Sequence, residues 1–485
     1  MNNIVRTPNF IFYSILAIAN IFAYSFIEPH FQLFDSALFK LQLIYPTQGW
    51  LPYKDFVFIY PFGPSLLSLF IDKLSFGVFN LITFVWPIHF LLQLVIVEQI
   101  RKIYSDQNIH TIVTILVIET LFIAKLGGEP FSVLLTFILC LEYFTTYQTK
   151  KITWKIFAYS ILLCFVRWDR LVFCLGILFL YRAFCKIKGV DFEITHTAKL
   201  FLISLSAILL LISSFFIYGN ENFYNVMQYV FFDPFIIAKF RSLPFKWDNN
   251  ILSILNIYYF ILLAYILVGC SLIKEKFNDR KVFFYFLGIS LFIPTLSRSD
   301  VGHFLPFYIS SLFLIYSLPS FFSRFYLKSK KLILSINGIF CFFIIFIFSF
   351  LITQSQVENT CNSFNDLKYG YKSIFVGNSQ YDDFNINYPY LYLQNINLKP
   401  ATKYISDEPG IQNNCDRAQE IIKDLDMAPK PSIFYLNKSI LIDKNNVNQY
   451  KNCGLLEQYF SEKTKTIGHC EINQSQIEVR ISYER

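Results

Sequence analysis

The chain has 485 residues, of which 54% are hydrophobic and only 16% charged, with 57 Phe and a mean hydropathy of +0.44. A soluble domain carries about a quarter charged residues, and a single core of this length cannot bury so much apolar surface, so composition argues against a soluble globular class. The formal net charge of +8 comes largely from basic connections between apolar stretches. That leaves no nucleic-acid reading, and no Gly-rich phosphate loop followed by Lys-Ser/Thr supports nucleotide-driven transport.

The first apolar stretch, Asn9–Ile27, follows a single positive residue, Arg6, and has no small-residue cleavage site, so it reads as an uncleaved first helix. A polar connection over 28–60 comes next. Pro61–Leu74 is apolar but short, and it holds Asp72 and Lys73; it reads as an interfacial or re-entrant helix (61–75). Further spans are expected at Gly77–Val97, His110–Ala124, Phe131–Tyr147, Lys199–Tyr218, Ile251–Ile273, Val282–Ser297, Phe304–Ser317 and Leu332–Ile352. A shorter pair, Trp154–Val166 and Leu171–Phe184, is split by Arg167-Trp168-Asp169-Arg170.

The basic connections set the orientation. Arg101-Lys102, Lys150-Lys151, Arg182 to Lys188, Lys274 to Lys281 and Arg324 to Lys331 are each separated from the next by two spans, so all lie on one side, the cytoplasmic one by the positive-inside rule. Counting 61–74 as a span would move the basic connections up to Lys188 outward while the later ones stayed inside. With that segment at the interface, about eleven spans run from a cytoplasmic N-terminus to an extracytoplasmic C-terminus in the plasma (inner) membrane. The fold class expected is therefore mainly α, a polytopic membrane domain over 1–352, with a small extracytoplasmic soluble α/β domain over 353–485.

That tail is rich in Asn and in charges of both signs. It has strand-like runs at Ser373–Val376, Ser432–Leu436 and Ile477–Ser482, and a helical stretch, Cys415–Asp426, with apolar Ala418, Ile421, Ile422 and Leu425. Four of the ten Cys fall here, Cys361, Cys415, Cys453 and Cys470. On an oxidising face they suggest one or two disulfides, with the pairing open. No CxxC pair occurs, so a structural zinc site has no support.

Inside the expected spans, His89, Glu119 and Glu142 stand out because ionisable groups in lipid are costly. Hydrogen bonding between helices is the plainer reading and a proton or ion pathway the sharper one. The outward connections gather another polar set: Asp35; Gly49-Trp-Leu-Pro-Tyr-Lys-Asp55-Phe; Tyr60-Pro-Phe-Gly63; Glu129 in Gly127-Gly-Glu-Pro; Arg167, Asp169 and Arg170; Lys239, Arg241 and Lys246; and Arg298, Asp300 and His303 in Arg-Ser-Asp-Val-Gly-His.

This order, an early-loop Asp, then Gly-x-x-Pro-Tyr-x-Asp-Phe, then Tyr-Pro-x-Gly leading into an amphipathic segment, with a later Arg-x-Asp-x-x-His, resembles the membrane-embedded GT-C glycosyltransferases. These include the protein mannosyltransferases, the aminoarabinose transferase of lipid A, and bacterial relatives acting on lipopolysaccharide cores. The resemblance covers the chain loosely and residues 30–65 most specifically. It implies transfer of a sugar from a polyprenyl-phosphate donor to a glycan, lipid or protein acceptor on the extracytoplasmic face, with membrane lipids as surroundings. It maps the family's first-loop acid onto Asp35 as general base, with Arg298 and His303 beside the lipid phosphate, since an Arg fork binds two phosphate oxygens. Asp55, Glu129, Lys239, Arg241 and Asp300 are the further substrate-binding candidates. No cofactor is assigned; a divalent cation is left open, although Ser36 stands where the family's usual second acid would complete a metal-binding pair.

Each assignment has a plainer rival. Asp35 can cap a helix starting at Ser36, Asp55 can pair with Lys54 or orient its loop, and Arg298 and His303 can be an interfacial anchor and a satisfied histidine. Arg167, Asp169 and Arg170 can tie two short helices, and Lys239 and Arg241 can touch anionic head groups. A transporter or lipid-linked-glycan flippase is the competing function, but no internal repeat is visible and the polar residues gather at one face rather than at mid-membrane. An O-antigen polymerase or ligase shares the face and the carrier; the early Asp loop argues against it.

Overall fold

In the computed structural model, the residues described are 7–27, 34–58, 60–79, 81–103, 112–113, 115–117, 119–120, 129–149, 153–189, 194–234, 262–263, 265–270, 272–273, 279–297, 306–307, 309–311, 313–314, 360–364, 370–378, 388–405, 415–437, 454–472 and 475–482. The helices are α1 (Thr7–Phe22), α2 (Phe34–Ile44), α3 (Gly63–Leu74), α4 (Leu81–Ile103), α5 (Glu129–Thr149), α6 (Trp154–Ile187), α7 (Ile194–Val226), α8 (Asp279–Ser297), α9 (Tyr388–Gln394), α10 (Cys415–Met427) and α11 (Leu455–Lys463). The strands are β1 (Ser373–Asn378), β2 (Lys399–Pro400), β3 (Ser432–Asn437), β4 (Thr464–Ile472) and β5 (Ser475–Ser482). The chain is thus mainly helical, with one small sheet in its tail. It divides into two compact units: residues 1–29, 84–213 and 242–353 form the first, and residues 30–83, 214–241 and 354–485 the second.

The first unit is a helical bundle centred on α5, which is buried on all sides from Phe131 to Phe144. A helix apolar all round must have neighbours all round, and α6 and α8 pack against it. Phe144 stacks on Phe283 at 4.6 Å and Phe137 meets Phe313 at 5.7 Å. Two glycines let other helical segments approach closely. A Cβ at Gly288 would lie 1.6 Å from the Tyr265 hydroxyl, and one at Gly269 would lie 2.3 Å from that of Tyr285; the two tyrosine rings stack at 5.2 Å. Small residues at helix contacts serve the same end in membrane bundles.

Two described helices are long and apolar enough to cross a membrane, Phe84–Ile103 and Thr197–Asn220, with mean hydropathies of 1.2 and 2.7. Shorter apolar helices lie at Phe10–Ser25, Phe131–Thr145 and Lys281–Phe292. The stretches expected at 110–124, 251–273 and 304–317 are described only in part, and 332–352 lies outside the described residues. A break does fall at the expected corner around 167–170, but it is one residue wide: Arg167 alone, at φ −154° and ψ 87°, leaves helical geometry within α6. Helix α7 breaks at Gly219 (φ 66°, ψ 178°), at the end of its apolar stretch, in a conformation that favours glycine.

The second unit is built on a five-stranded sheet in the order β2-β1-β3-β5-β4, with β2, β1 and β3 parallel and β5 antiparallel to both neighbours. The expected strands appear as β1, β3 and β5, and α10 buries Ala418, Ile421 and Leu425 along one side, as its spacing predicts. Strands β2 and β4 and helices α9 and α11 were not expected. The rings of Phe375 and Phe434 meet that of Phe460 from α11 at 5.3 and 5.6 Å. A disulfide joins Cys361 to Cys470, and Thr360 N–H donates to Glu471 O at 3.0 Å, holding the start of the tail on β4. Helix α9 packs on α2, so the tail and the first connection share this unit.

Helix α3 in the same unit has an inverted polarity. Pro64, Ser65 and Ser68 are buried, and Ser65 Oγ and Ser68 Oγ donate to the carbonyls of Gln42 and Leu43 at 3.0 and 2.6 Å. Its other side and the turn after it expose Leu67 (45%), Phe70 (59%), Leu74 (64%), Phe76 (95%) and Val78 (72%). Helices in water turn the other way, apolar side inward.

Candidate functional site

The most specific motif, Gly49-x-x-Pro52-Tyr53-x-Asp55-Phe56, folds into a compact double turn. A 3-10 turn, Tyr45–Gln48, ends at Gly49, whose φ of 87° is open to glycine. Trp50 N–H then donates to Tyr45 O at 3.0 Å, and the Tyr45 ring sits between Trp50 and Phe56, 4.8 and 5.2 Å away. Asp55 closes the second turn: its Oδ2 accepts the Leu51 N–H at 2.9 Å, while its own N–H donates to Leu51 O at 2.9 Å. Through these bonds Asp55 braces the loop.

Tyr53 anchors this loop to the rest of the unit. It is fully buried, its hydroxyl donates to Tyr60 O, and its ring meets that of Tyr218 at 5.6 Å. Asn225 Nδ2 donates to Tyr53 O at 3.1 Å, and Val57 N–H donates to Lys403 O at 2.6 Å. Three chain segments far apart in sequence thus meet around residues 53–57.

Beside that junction lies a charged cluster that sequence reasoning missed. Arg417 NH1 donates to Glu420 Oε2 (2.8 Å), Tyr404 Oη (2.8 Å) and Tyr229 Oη (3.2 Å). Tyr404 donates to Glu420 Oε2 at 2.6 Å, and Lys403 Nζ pairs with Glu420 Oε1. Burial alone would push the Glu420 carboxyl up, but the hydrogen bonds from Lys403, Tyr404 and Arg417 outweigh it and hold it down to about 2. Burial likewise opposes the charge on Lys403, and its hydrogen bond to Glu420 leaves it raised. Both cations share this one carboxylate, and the cluster works as a clasp between the 227–234 segment and the tail. The only local signal was the i, i+3 pair Arg417 and Glu420; Tyr229, Lys403 and Tyr404 lie too far along the chain to announce themselves.

Asp233 is a further carboxyl that sequence reasoning passed over. It is buried, Gln228 Nε2 donates to its Oδ1, and Oδ2 has no hydrogen-bond partner among the described residues. Burial pushes this carboxyl up, against the hydrogen bond from Gln228 and the charge of Arg417. A buried acid with a perturbed proton affinity is suited to acid/base work.

The expected site residues fall as follows. Asp35 is the second residue of α2, inside its first turn rather than ahead of a helix starting at Ser36. Glu129 is the first residue of α5. Lys239, Arg241, Lys246, Arg298, Asp300 and His303 lie outside the described residues. Arg167 forms a fork on Asp169, with Nε and NH2 at 2.9 and 2.7 Å from its two oxygens, which braces the break in α6. No group of three or more His, Cys, Asp or Glu suited to a metal ion occurs among the described residues.

In the first unit, the three ionisable residues singled out within the expected spans are hydrogen-bonded. Glu142 accepts from Gln99 Nε2 at 3.0 Å and from Thr153 Oγ1 at 2.8 Å. His89 Nε2 lies 3.1 Å from Glu119 Oε1, and His89 Nδ1 lies 2.7 Å from Asn20 Oδ1. The chain matches no protein-family model, no curated protein and no solved structure.

Proposed function

We propose that the chain is a polytopic membrane glycosyltransferase of the GT-C type, moving a sugar from a polyprenyl-phosphate donor to a glycan, lipid or protein acceptor on the extracytoplasmic face. About eleven spans place the N-terminus in the cytoplasm and the tail outside. Asp35 is the general base, and Arg298 and His303 neutralise the departing lipid phosphate. The observation that carries this reading is the second unit. There the Gly49–Phe56 motif, the 214–234 segment and the tail domain form one body around Tyr53, and that body also holds α2 with Asp35 and an α3 whose apolar side faces outward. A water-facing domain built onto a helix suited to the lipid interface is the setting that transfer from a lipid-linked donor needs.

The test is sugar transfer from a polyprenyl-phosphate donor in membranes containing D35N. A general base contributes about 10²–10⁴-fold, so transfer should fall by about that factor with the protein still folded. Normal transfer removes Asp35 as the base, and D233N in the same assay then tests the buried alternative. A transporter or lipid-linked-glycan flippase without transferase activity is the second reading, favoured by the buried polar pair His89 and Glu119. Translocation of the lipid-linked sugar without any transfer would select it.

A further inference from the structure

The His89–Glu119 contact belongs to a closed ring of four side chains carried by α1, α4 and the helical residues within 112–120, all in the first unit. Three of the four contacts around the ring have a donor that the neighbouring backbone carbonyls fix. Asn20 Nδ2 donates to Leu16 O at 2.9 Å and to Gln93 Oε1 at 2.7 Å. A carbonyl can only accept, so Leu16 O fixes the Asn20 amide and leaves Asn20 Oδ1 facing His89 Nδ1. That nitrogen must therefore carry a hydrogen. The Gln93 amide is fixed the same way, with Nε2 3.2 Å from Leu116 O, 2.5 Å from Glu119 Oε2 and 2.6 Å from Thr120 Oγ1.

One position remains, between His89 Nε2 and Glu119 Oε1 at 3.1 Å. Without a proton there, two lone pairs would face each other. With one, either the ring is imidazolium against carboxylate, or neutral imidazole accepts from a carboxylic acid. The surroundings favour the neutral form. His89 is 0% and Glu119 1% exposed, and the rings of Tyr24 and Phe131 stand edge-on to His89 at 5.5 and 5.9 Å. Stripping water from two opposite charges is costly, whereas a neutral pair avoids that cost. The neutral form also makes every bond run in one direction, Asn20 to Gln93 to Glu119 to His89 and back to Asn20, and hydrogen bonds so chained strengthen one another.

We propose that this ring is a proton-binding site of the helical bundle, in which Glu119 holds one proton as a neutral carboxylic acid and donates it to Nε2 of a neutral His89. The bound proton is the ring's fourth donor, and it lets a carboxyl sit among apolar helices without a charge.

The test is infrared spectroscopy of the full chain in lipid bilayers at neutral pH, with ¹³C-labelled glutamate. Wild type should show an isotope-shifted carboxylic-acid C=O band, and E119Q should lack that component. E119Q should also fold, because its amide can donate to His89 Nε2 and accept from Gln93. ¹⁵N spectra of the wild type should show His89 neutral with its hydrogen on Nδ1. A wild type without the acid band, an E119Q spectrum that keeps it unchanged, an imidazolium signal at His89, or an E119Q chain that fails to fold would each overturn the proposal.

Discussion

The amide of Val57 donates to the carbonyl of Lys403 across 2.6 Å, and through that bond the first connection of the chain is stitched to the edge of the tail domain. The side chain of the same Lys403 pairs with Glu420, so the backbone and side chain of one residue serve both the motif loop and the charged clasp.

The clasp should make the second unit acid-sensitive. The Glu420 carboxyl lies at about 2 in the folded chain against an ordinary 4.5. A depressed acid contributes stability that is complete above its unfolded value and lost as pH falls through the folded one. Thermal unfolding should therefore show a contribution that fades between about pH 4.5 and pH 2. E420Q should abolish that segment of the pH profile and cost about 1–2 kcal/mol at neutral pH, discounted because the carboxylate is one-third exposed.

Asp55 separates bracing from chemistry. D55A removes the acceptor for Leu51 N–H and should lower stability by about 1 kcal/mol. D55N keeps an oxygen at the same place and should stay within a few tenths of wild type. Denaturation midpoints of the two variants give the comparison; equal losses would assign the effect to the negative charge instead of the hydrogen bond.

Helix α3 should lie against acyl chains along its exposed side. F70W is expected to be quenched by lipids brominated on their chains, while F58W, at a position only 2% exposed, is not. Equal quenching at both sites, or none at Phe70, would remove α3 from the lipid interface.

The disulfide closes a long stretch of chain, with Cys361 and Cys470 separated by 109 residues. Loops of that size lose about 2–5 kcal/mol when the bridge is removed, so the C361S/C470S double variant should lose an amount in that range. Calorimetry with and without reductant checks it, and the double variant should show no further response to reductant.

Local chemistry made much of this chain legible before any coordinates. The interval between Ala418, Ile421 and Leu425 announced α10, β-rich runs announced β1, β3 and β5, and the short apolar segment after Pro61 announced α3, because side-chain periodicity is set within one or two turns of backbone. Composition alone called for a mainly helical chain with a different kind of tail. Contacts between distant positions were closed to that reasoning. Asn225 reaches the carbonyl of Tyr53, Arg417 reaches Tyr229, Cys361 reaches Cys470, and Asn20, His89, Gln93 and Glu119 close a ring. Each of these depends on the path of the chain between the partners, and nothing in the residues on either side encodes that path. Hence the sequence by itself determined several of the elements and the polar inventory, whereas only the tertiary structure decided that the first connection, the 214–234 segment and the tail form one body, and that the buried carboxyl of Glu119 lies against His89.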